Sequence, residues 1–335
     1  MIPANSSPRR RGRRPLLRRL AASAAAVALG LVALGSAAVA QASADKKLCV
    51  FDPSGANGDL YRRMQDYQTA AAAWGVTFSL RPVLDESVAA SDFENGQCDA
   101  VVLTGVTGQK YNPKTYTLEA MGLFTKYESL KRAIKTLALP KASVINKNRD
   151  FETVGVLPGG AVYLFLRDRG LSDVSQLAGR SIATIGTDKS ARYMVNKIGA
   201  TPKLASISNF ASMFNNSSVD ICYAPATAHD PLELWRGLGD DGGVVKFPIS
   251  QLTFQIFIRS DEFPADFGQR SREYVSQQFD AMLRLVTSAE GKIKAWVPIS
   301  DGDFQRYNTL LSTVRHELIK QGSYDATVVA LGEKL

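Results

Sequence analysis

The sequence predicts an α/β protein with a mainly parallel sheet flanked by helices, and three observations carry that prediction. Short apolar runs alternate with helical stretches from Lys47 onward. Gly-containing turns join them. The same strand–helix order restarts near Thr153, so two α/β units repeat one logic.

In the first unit, Leu48-Cys49-Val50-Phe51 reads as a strand, ended by Asp52-Pro53-Ser54-Gly55-Ala56-Asn57-Gly58. A helix is expected from there to about Ala73, stopped by Trp74-Gly75. Val76–Leu80 alternates with period two, Val88–Phe93 is a short helix before Asn95-Gly96, and Ala100–Leu103 is a buried strand ending at Thr104-Gly105. In the second unit, Thr153–Leu157 and Ala161–Phe165 read as two strands. Ser181–Ile185 is a third, followed by a helix over Ser190–Ile198 and a strand over Val219–Tyr223. Leu252–Ile258 is a long alternating strand, and one long helix is expected over Phe267–Ala289. Ser300-Asp301-Gly302-Asp303 is a capping box opening a last helix, with Phe304, Tyr307, Leu311, Val314 and Leu318 on one face and Gly322 at its end.

The first 44 residues read as an address. Arg9, Arg10, Arg11, Arg13, Arg14, Arg18 and Arg19 form a basic start, an Ala/Leu/Val-rich run follows, and two small-x-small sites predict cleavage after Ala40 or Ala44. Arg13-Arg14-Pro15-Leu16-Leu17 also fits a twin-arginine signal, so the general secretory and twin-arginine routes both stay open. The whole chain has 40 Lys+Arg against 32 Asp+Glu, but seven of those bases precede Asp45, which leaves 33 against 32. The basic balance therefore reports targeting and gives no support for nucleic-acid binding. No later apolar run is long enough to span a bilayer, and the expected location is the periplasm.

Cys49, Cys98 and Cys222 allow at most one bridge within the chain. Neighbouring parallel strands would bring Cys49 and Cys98 into bonding range. The alternative is three small buried thiols. There is no metal-ligand spacing, so no metal and no cofactor are expected. The turn Ser54–Gly58 lacks the Gly-Lys-Ser/Thr of a P-loop and the GxGxxG of a dinucleotide fold, and fits better as backbone at the edge of a ligand cleft. His229 and His316 are the two histidines, and no Gly-x-Ser-x-Gly elbow accompanies either. The chain is not expected to be an enzyme; a hydrolase using His229 is the minor alternative. Asp188, Lys189 and Arg192 follow a strand at a helix start, which reads equally as the place where open α/β sheets bind ligands and as a solvated helix N-terminus with an ordinary Asp cap. Asp220, before an apolar strand, reads equally as a ligand-site acid and as a structural carboxylate satisfied by backbone donors.

The segment from Val154 to Pro264 resembles the TRAP-type (DctP-like) periplasmic solute receptors. "DVSQLAGRSIA" at Asp173–Ala183 is similar to that family's "DLKGLKIR" segment, and Ile198–Pro225 and Arg259–Pro264 resemble later family elements in the same order. "CVFDPSGANGD", "NGQCDAVVLTG", "FNNSSVDICYAPA", "DPLELWRGLG" and "QLTFQIFIRSDEFP" resemble more closely a subfamily of which some members carry an efflux-related (AdeT) label. The resemblance implies a two-lobed periplasmic-binding-protein-like fold with crossing strands. It places lobe I at 45–153 plus about 256–335 and lobe II at 154–255, with a solute gripped between them. It also implies a small-molecule solute, a TRAP-type membrane permease as partner, and a monomer. An accessory or scaffold role in an efflux or envelope system is the competing reading. Ala183 stands where the family has its carboxylate-binding arginine, Tyr163 near a second arginine and Ala224 near an asparagine, which points to a less acidic solute. The candidate ligand-binding residues are Asp52, Ser54, Glu86, Thr104, Tyr163, Asp188, Arg192 and Tyr223.

Overall fold

The computed structural model describes residues 44–335. The predicted signal peptide lies outside the described residues up to residue 43. Among the described residues no helix is long and apolar enough to cross a membrane.

Strands β1 (Ala44–Phe51), β2 (Val76–Val83) and β3 (Ala100–Thr104) form one parallel flank, with Leu48 of β1 opposite Leu80 on one side and Ala100 on the other. Helix α1 (Asp59–Ala72) covers one face with Leu60, Met64, Tyr67 and Ala71, an i, i+4, i+7 stripe that packs with Leu48 and Val50. Helix α2 (Glu86–Glu94) covers the other face. There the alternate residues of β1, Cys49 and Phe51, meet Phe93, Cys98 and Val101. This pleat puts Cys49 beside Cys98, and the two are joined by a disulfide with Cα atoms 5.9 Å apart. Cys222 is a free, buried thiol.

The chain then runs through α3 (Gly105–Gly108), α4 (Pro113–Tyr116), α5 (Tyr127–Leu137), α6 (Ser143–Asn146) and the short β4 (Lys147–Asn148). Asn112 organises this stretch. It is fully buried, caps α4 through its carbonyl, and donates to the Ile145 and Asn146 carbonyls and to Thr153 Oγ1.

The two strands expected at Thr153–Leu157 and Ala161–Phe165 are a single strand, β5 (Phe151–Leu166). Pro158-Gly159-Gly160 looks like a chain break, yet β10 (Ser250–Arg259) absorbs it: Thr253 pairs with Pro158, Leu252 pairs with Gly160, and Gly159 bulges out between. Gly160 has φ +118°, and a Cβ there would lie 3.1 Å from Val286 Cγ1. Gly160→Ala is expected to cost about 1–2 kcal/mol, read from the shift in a urea unfolding midpoint.

The second flank is again parallel, with β6 (Ser181–Ile185) between β7 (Thr201–Ala205) and β8 (Ile221–Pro225). Helices α7 (Lys189–Lys197) and α8 (Ile207–Asn215) connect them. Asp220 accepts from the Ser181 backbone N–H and hydroxyl, which is the structural one of the two roles its position allows. Then come α9 (Trp235–Leu238) and β9 (Gly243–Val245). β10 pairs antiparallel with β3 on one side and β5 on the other, and β5 pairs antiparallel with β8. The sheet thus runs β2-β1-β3-β10-β5-β8-β6-β7, with the two long strands at its centre.

The expected long helix is two, α10 (Phe267–Gln277) and α11 (Phe279–Lys292), separated at Gln278 without glycine or proline. After β11 (Trp296–Val297), α12 (Asp301–Lys320) starts at the Ser300 cap and stops where Gly322 takes φ +73°. Phe304 departs from the expected face: it is 44 % exposed, although its ring edge meets Phe247. Tyr307, Leu311, Val314 and Leu318 pack with Leu164, Ile182 and Met194 of the second flank. A final helix, α13 (Ala326–Glu333), follows; its Val328 packs with Leu130 and Ile134 of α5.

Candidate functional site

Four strands from the two flanks end at one place. The C-terminal ends of β1 (Phe51, Asp52), β3 (Thr104), β6 (Ile185) and β8 (Tyr223 to Ala226) line a cavity of about 420 Å³. Convergence of carboxyl strand ends is where open α/β sheets place ligands, because no backbone continues there to fill the space. The bulged centre of the long strands forms another wall through Pro158, Gly159 and Leu252, and α11 contributes Met282, Leu285 and Val286. Most of the lining is hydrocarbon: Val106, Met121, Val162, Phe210 and Phe254 join those residues.

The polar lining is concentrated. Glu119, buried in the short turn after α4, accepts on Oε1 from the Gly105 N–H (3.1 Å), the Thr253 N–H (2.6 Å) and the Thr253 hydroxyl (2.7 Å). Burial outweighs those donors and pushes its carboxyl up to about 8, so it is largely protonated at neutral pH. Asp188 caps α7: its Oδ1 accepts from the Ala191 N–H at 2.8 Å, and its Oδ2 faces the Tyr223 hydroxyl at 3.4 Å. Burial also raises its carboxyl. Tyr223 accepts from the Ile185 N–H at 3.1 Å, and burial together with the Asp188 charge holds its phenol well above the usual range. Tyr116 donates to Ser190 Oγ at 3.0 Å, and Tyr324 lies beside it with ring centroids 5.8 Å apart. All three tyrosines and Ser190 line the cavity.

Of the residues singled out from sequence, Asp52, Ser54, Thr104, Asp188 and Tyr223 line the cavity. Asp52 is already occupied, since its carboxylate accepts from the Ser54 and Tyr61 N–H groups and fastens the turn to α1. Thr104 accepts from the Thr107 N–H and so caps α3. Glu86, Tyr163 and Arg192 do not line it. Glu86 is a buried structural carboxylate holding the Thr104 N–H and the Thr107 hydroxyl. Tyr163 lies one residue past the lining Val162, hence on the opposite face of β5, where it donates to Glu290 at 2.8 Å and packs edge-on against Trp296. Arg192 sits one turn into α7 with its Nε buried and unpartnered, and its charge acts on Asp188 from behind. Sequence reasoning missed Glu119, Tyr116, Ser190 and Tyr324. Glu119 had one signal, a lone acid inside the apolar stretch Tyr116–Leu123.

His229 bonds Asp230 at 2.7 Å and stacks on Phe165, and among the described residues no serine, threonine or cysteine side chain hydrogen-bonds it. No group of three or more potential metal ligands occurs among the described residues. The chemistry this arrangement offers is enclosure of a small, mostly apolar molecule with one polar end.

A family model described as "Solute-binding protein AdeT 1/2" matches residues 67–335. The "Probable solute-binding protein AdeT1" of Acinetobacter baumannii is 33 % identical over 288 residues, covering 85 % of this chain and 95 % of the relative. Among solved structures, a TRAP periplasmic solute-binding protein from Desulfovibrio salexigens with bound orotic acid superposes with TM-score 0.70 at 12 % identity, covering 87 % of this chain and 97 % of the other. A second, from Shewanella oneidensis with bound succinate, gives TM-score 0.69 at 11 % identity, covering 88 % and 99 %. At these identities the structural likeness speaks for the fold.

Proposed function

This chain belongs to the family of solute-binding proteins AdeT 1/2, and from that premise we propose that it is the extracytoplasmic receptor of a TRAP-type transporter. It takes a small organic solute between two lobes and delivers it to a membrane permease. The observation that carries this reading is the cavity itself: strand ends from both flanks of the sheet converge on it, and the two long strands bulge beside it. The lobes of the proposal are 45–153 plus about 256–335 and 154–255, with boundaries inside β5 and β10 and with α12 packed on the second flank. Gln109 Nε2 donates to the Thr187 carbonyl at 3.2 Å, and Tyr116 reaches Ser190, contacts that would hold the closed conformation of this scheme. Solute contacts made only when closed would shift the balance toward it.

Export through the signal peptide places the receptor in the periplasm. Cleavage after Ala40 leaves all of β1 on the mature chain, whereas cleavage after Ala44 removes its first residue. The receptor is expected to act as a monomer. Binding without turnover fits a cavity whose acids are engaged by backbone donors and hydroxyls and whose neighbouring histidine pairs with Asp230.

The test is a melting-temperature screen of neutral, cationic and anionic metabolites, followed by small-angle scattering with any hit. A true solute is expected to raise the melting temperature by mass action and to shrink the radius of gyration. Failure of every class to do either overturns the receptor reading.

A further inference from the structure

A carboxylate guest requires a fixed cation, and among the described residues the one Lys or Arg side chain lining the cavity is Lys292, which already faces Asp230 Oδ2 at 3.4 Å. Five carboxyl groups line it: Asp52, Asp59, Glu119, Asp188 and Asp230. Three of them are engaged elsewhere. Asp52 holds its turn, Asp59 pairs with Arg62, and Asp230 pairs with His229 and Lys292. Glu119 and Asp188 have no ion-pair partner within 4 Å among the described residues, although Asp188 takes the Ala191 N–H and the Tyr223 hydroxyl and feels the Arg192 charge; the charge of Asp188 opposes ionisation of Glu119. Glu119 is only 5 % exposed, and all three hydrogen bonds to its carboxyl from described residues go to Oε1, leaving Oε2 without a donor. Glu119 Oε2 is not among the sealed partnerless atoms, so it stays open to the cavity, where a ligand can reach it. Tyr116, Tyr223 and Tyr324 surround the same end, offering phenol oxygens and ring faces that favour a cation.

We propose that the solute carries a protonated amine on an apolar body, with the ammonium between Glu119 and Asp188 and the body against Met121, Val162, Phe210 and Phe254. This deepens the receptor reading above and rests on it. Without a ligand, burial keeps Glu119 protonated near neutrality, with Asp188 and Tyr116 as its titratable neighbours, Arg192 acting on Asp188, and Asp52 further along the wall. An ammonium arriving beside it provides the missing counter-charge, so Glu119 ionises and one proton passes to the buffer. A carboxylate would instead add a third negative or proton-sharing group beside two acids whose hydrogen-bond donors are uncharged backbone and hydroxyl groups.

The experiment uses the mature chain and three probes of one skeleton: phenylpropylamine, phenylpropanol and phenylpropanoate. Titration calorimetry near neutral pH, in two buffers of different ionisation enthalpy, measures affinity and proton exchange together. The amine is expected to bind roughly tenfold or more tighter than the alcohol, with release of about one proton, and the carboxylate weakest. Glu119→Gln should erase most of the amine's advantage and the proton release while leaving binding of the alcohol. Equal or tighter binding of the carboxylate, or amine binding without proton release, overturns the cationic solute and leaves the receptor reading standing. If none of the three probes binds, the cationic solute is likewise refuted; only a failed metabolite and scattering screen would remove the receptor reading with it.

Discussion

Glu119→Gln is expected to stabilise the empty protein at pH 8 while leaving it nearly unchanged at pH 4.5. The carboxyl titrates at about 8 in the folded chain against 4.5 for the unperturbed group, because burial disfavours its charged form. Between those values the unfolded state has lost the proton and the folded state keeps it, so stability falls as pH rises through that window. Below the window both states hold the proton, and above it neither does. Each pH unit of displacement is worth roughly 1.4 kcal/mol, so the full penalty at pH 8 is on the order of 5 kcal/mol. Glutamine keeps the Oε1 acceptor for Gly105 and Thr253 and never ionises, so it escapes the penalty. Glu86 and Asp188 are also raised by burial and contribute the same kind of slope in both proteins, which is why the difference between wild type and variant is the quantity to measure. Urea midpoints for the pair at half-unit pH steps test this. Parallel curves would show that Glu119 is ionised in the fold and that the cavity is wet. If the expected divergence appears, the wild-type residue is one that weakens the unliganded fold at neutral pH, as a group retained for its ligand does.

How much of this site the sequence exposes depends on which geometric rule governs each residue. Asp52, Thr104, Asp188 and Tyr223 were legible because topology alone places them: each stands at or just beyond the carboxyl end of a strand, and in a parallel flank those ends share one edge. Side-chain direction is a finer property. Tyr163 fails by one step of the pleat, since Val162 takes the cavity face and a one-residue change of parity sends the ring to Glu290 and Trp296. Glu86 fails differently; its position beside the cavity is real, but its carboxylate is consumed by the Thr104 N–H and the Thr107 hydroxyl before any ligand arrives. Glu119 was out of reach because the stretch 105–126, built from four-residue helices and turns, has no strand or long-helix periodicity to place it. The Gly105 and Thr253 donors that define its environment come from 14 and 134 residues away.

The fold was more legible than the site, and its misreadings have local causes. The two parallel flanks follow from alternating apolar runs and helices, which repeat over distances a sequence window can see. Pro158-Gly159-Gly160 says turn by every local criterion, and only the pairing of β5 with β10 turns it into a bulge within one strand. The Gln278 break between α10 and α11 has no local signature either. Phe267 and Val275 before it and Met282 after it belong to the same core, so the break leaves the apolar pattern intact.

Replacing both Cys49 and Cys98 by alanine is expected to cost about 4 kcal/mol, the loop-closure term for a bridge spanning 49 residues. The effect arises chiefly in the unfolded chain, which regains the freedom of everything between β1 and β3, including α1, β2 and α2. It has a consequence in the folded state as well. Cys49 lies three residues before Asp52 and Cys98 six before Thr104, so the bridge ties together the two strand ends that form one wall of the cavity. Both sulfurs are fully buried, and alanine removes little volume, so packing losses should be small beside the chain-entropy term. The measurement is a urea unfolding midpoint of the double variant against wild type, with Cys222 intact in both. A loss near the expected size would mean that the first flank relies on an oxidising compartment for its stability, consistent with export before the bridge forms. Coincident midpoints would show that the thiols stay unbridged in the mature protein and that the flank is held by its hydrocarbon alone.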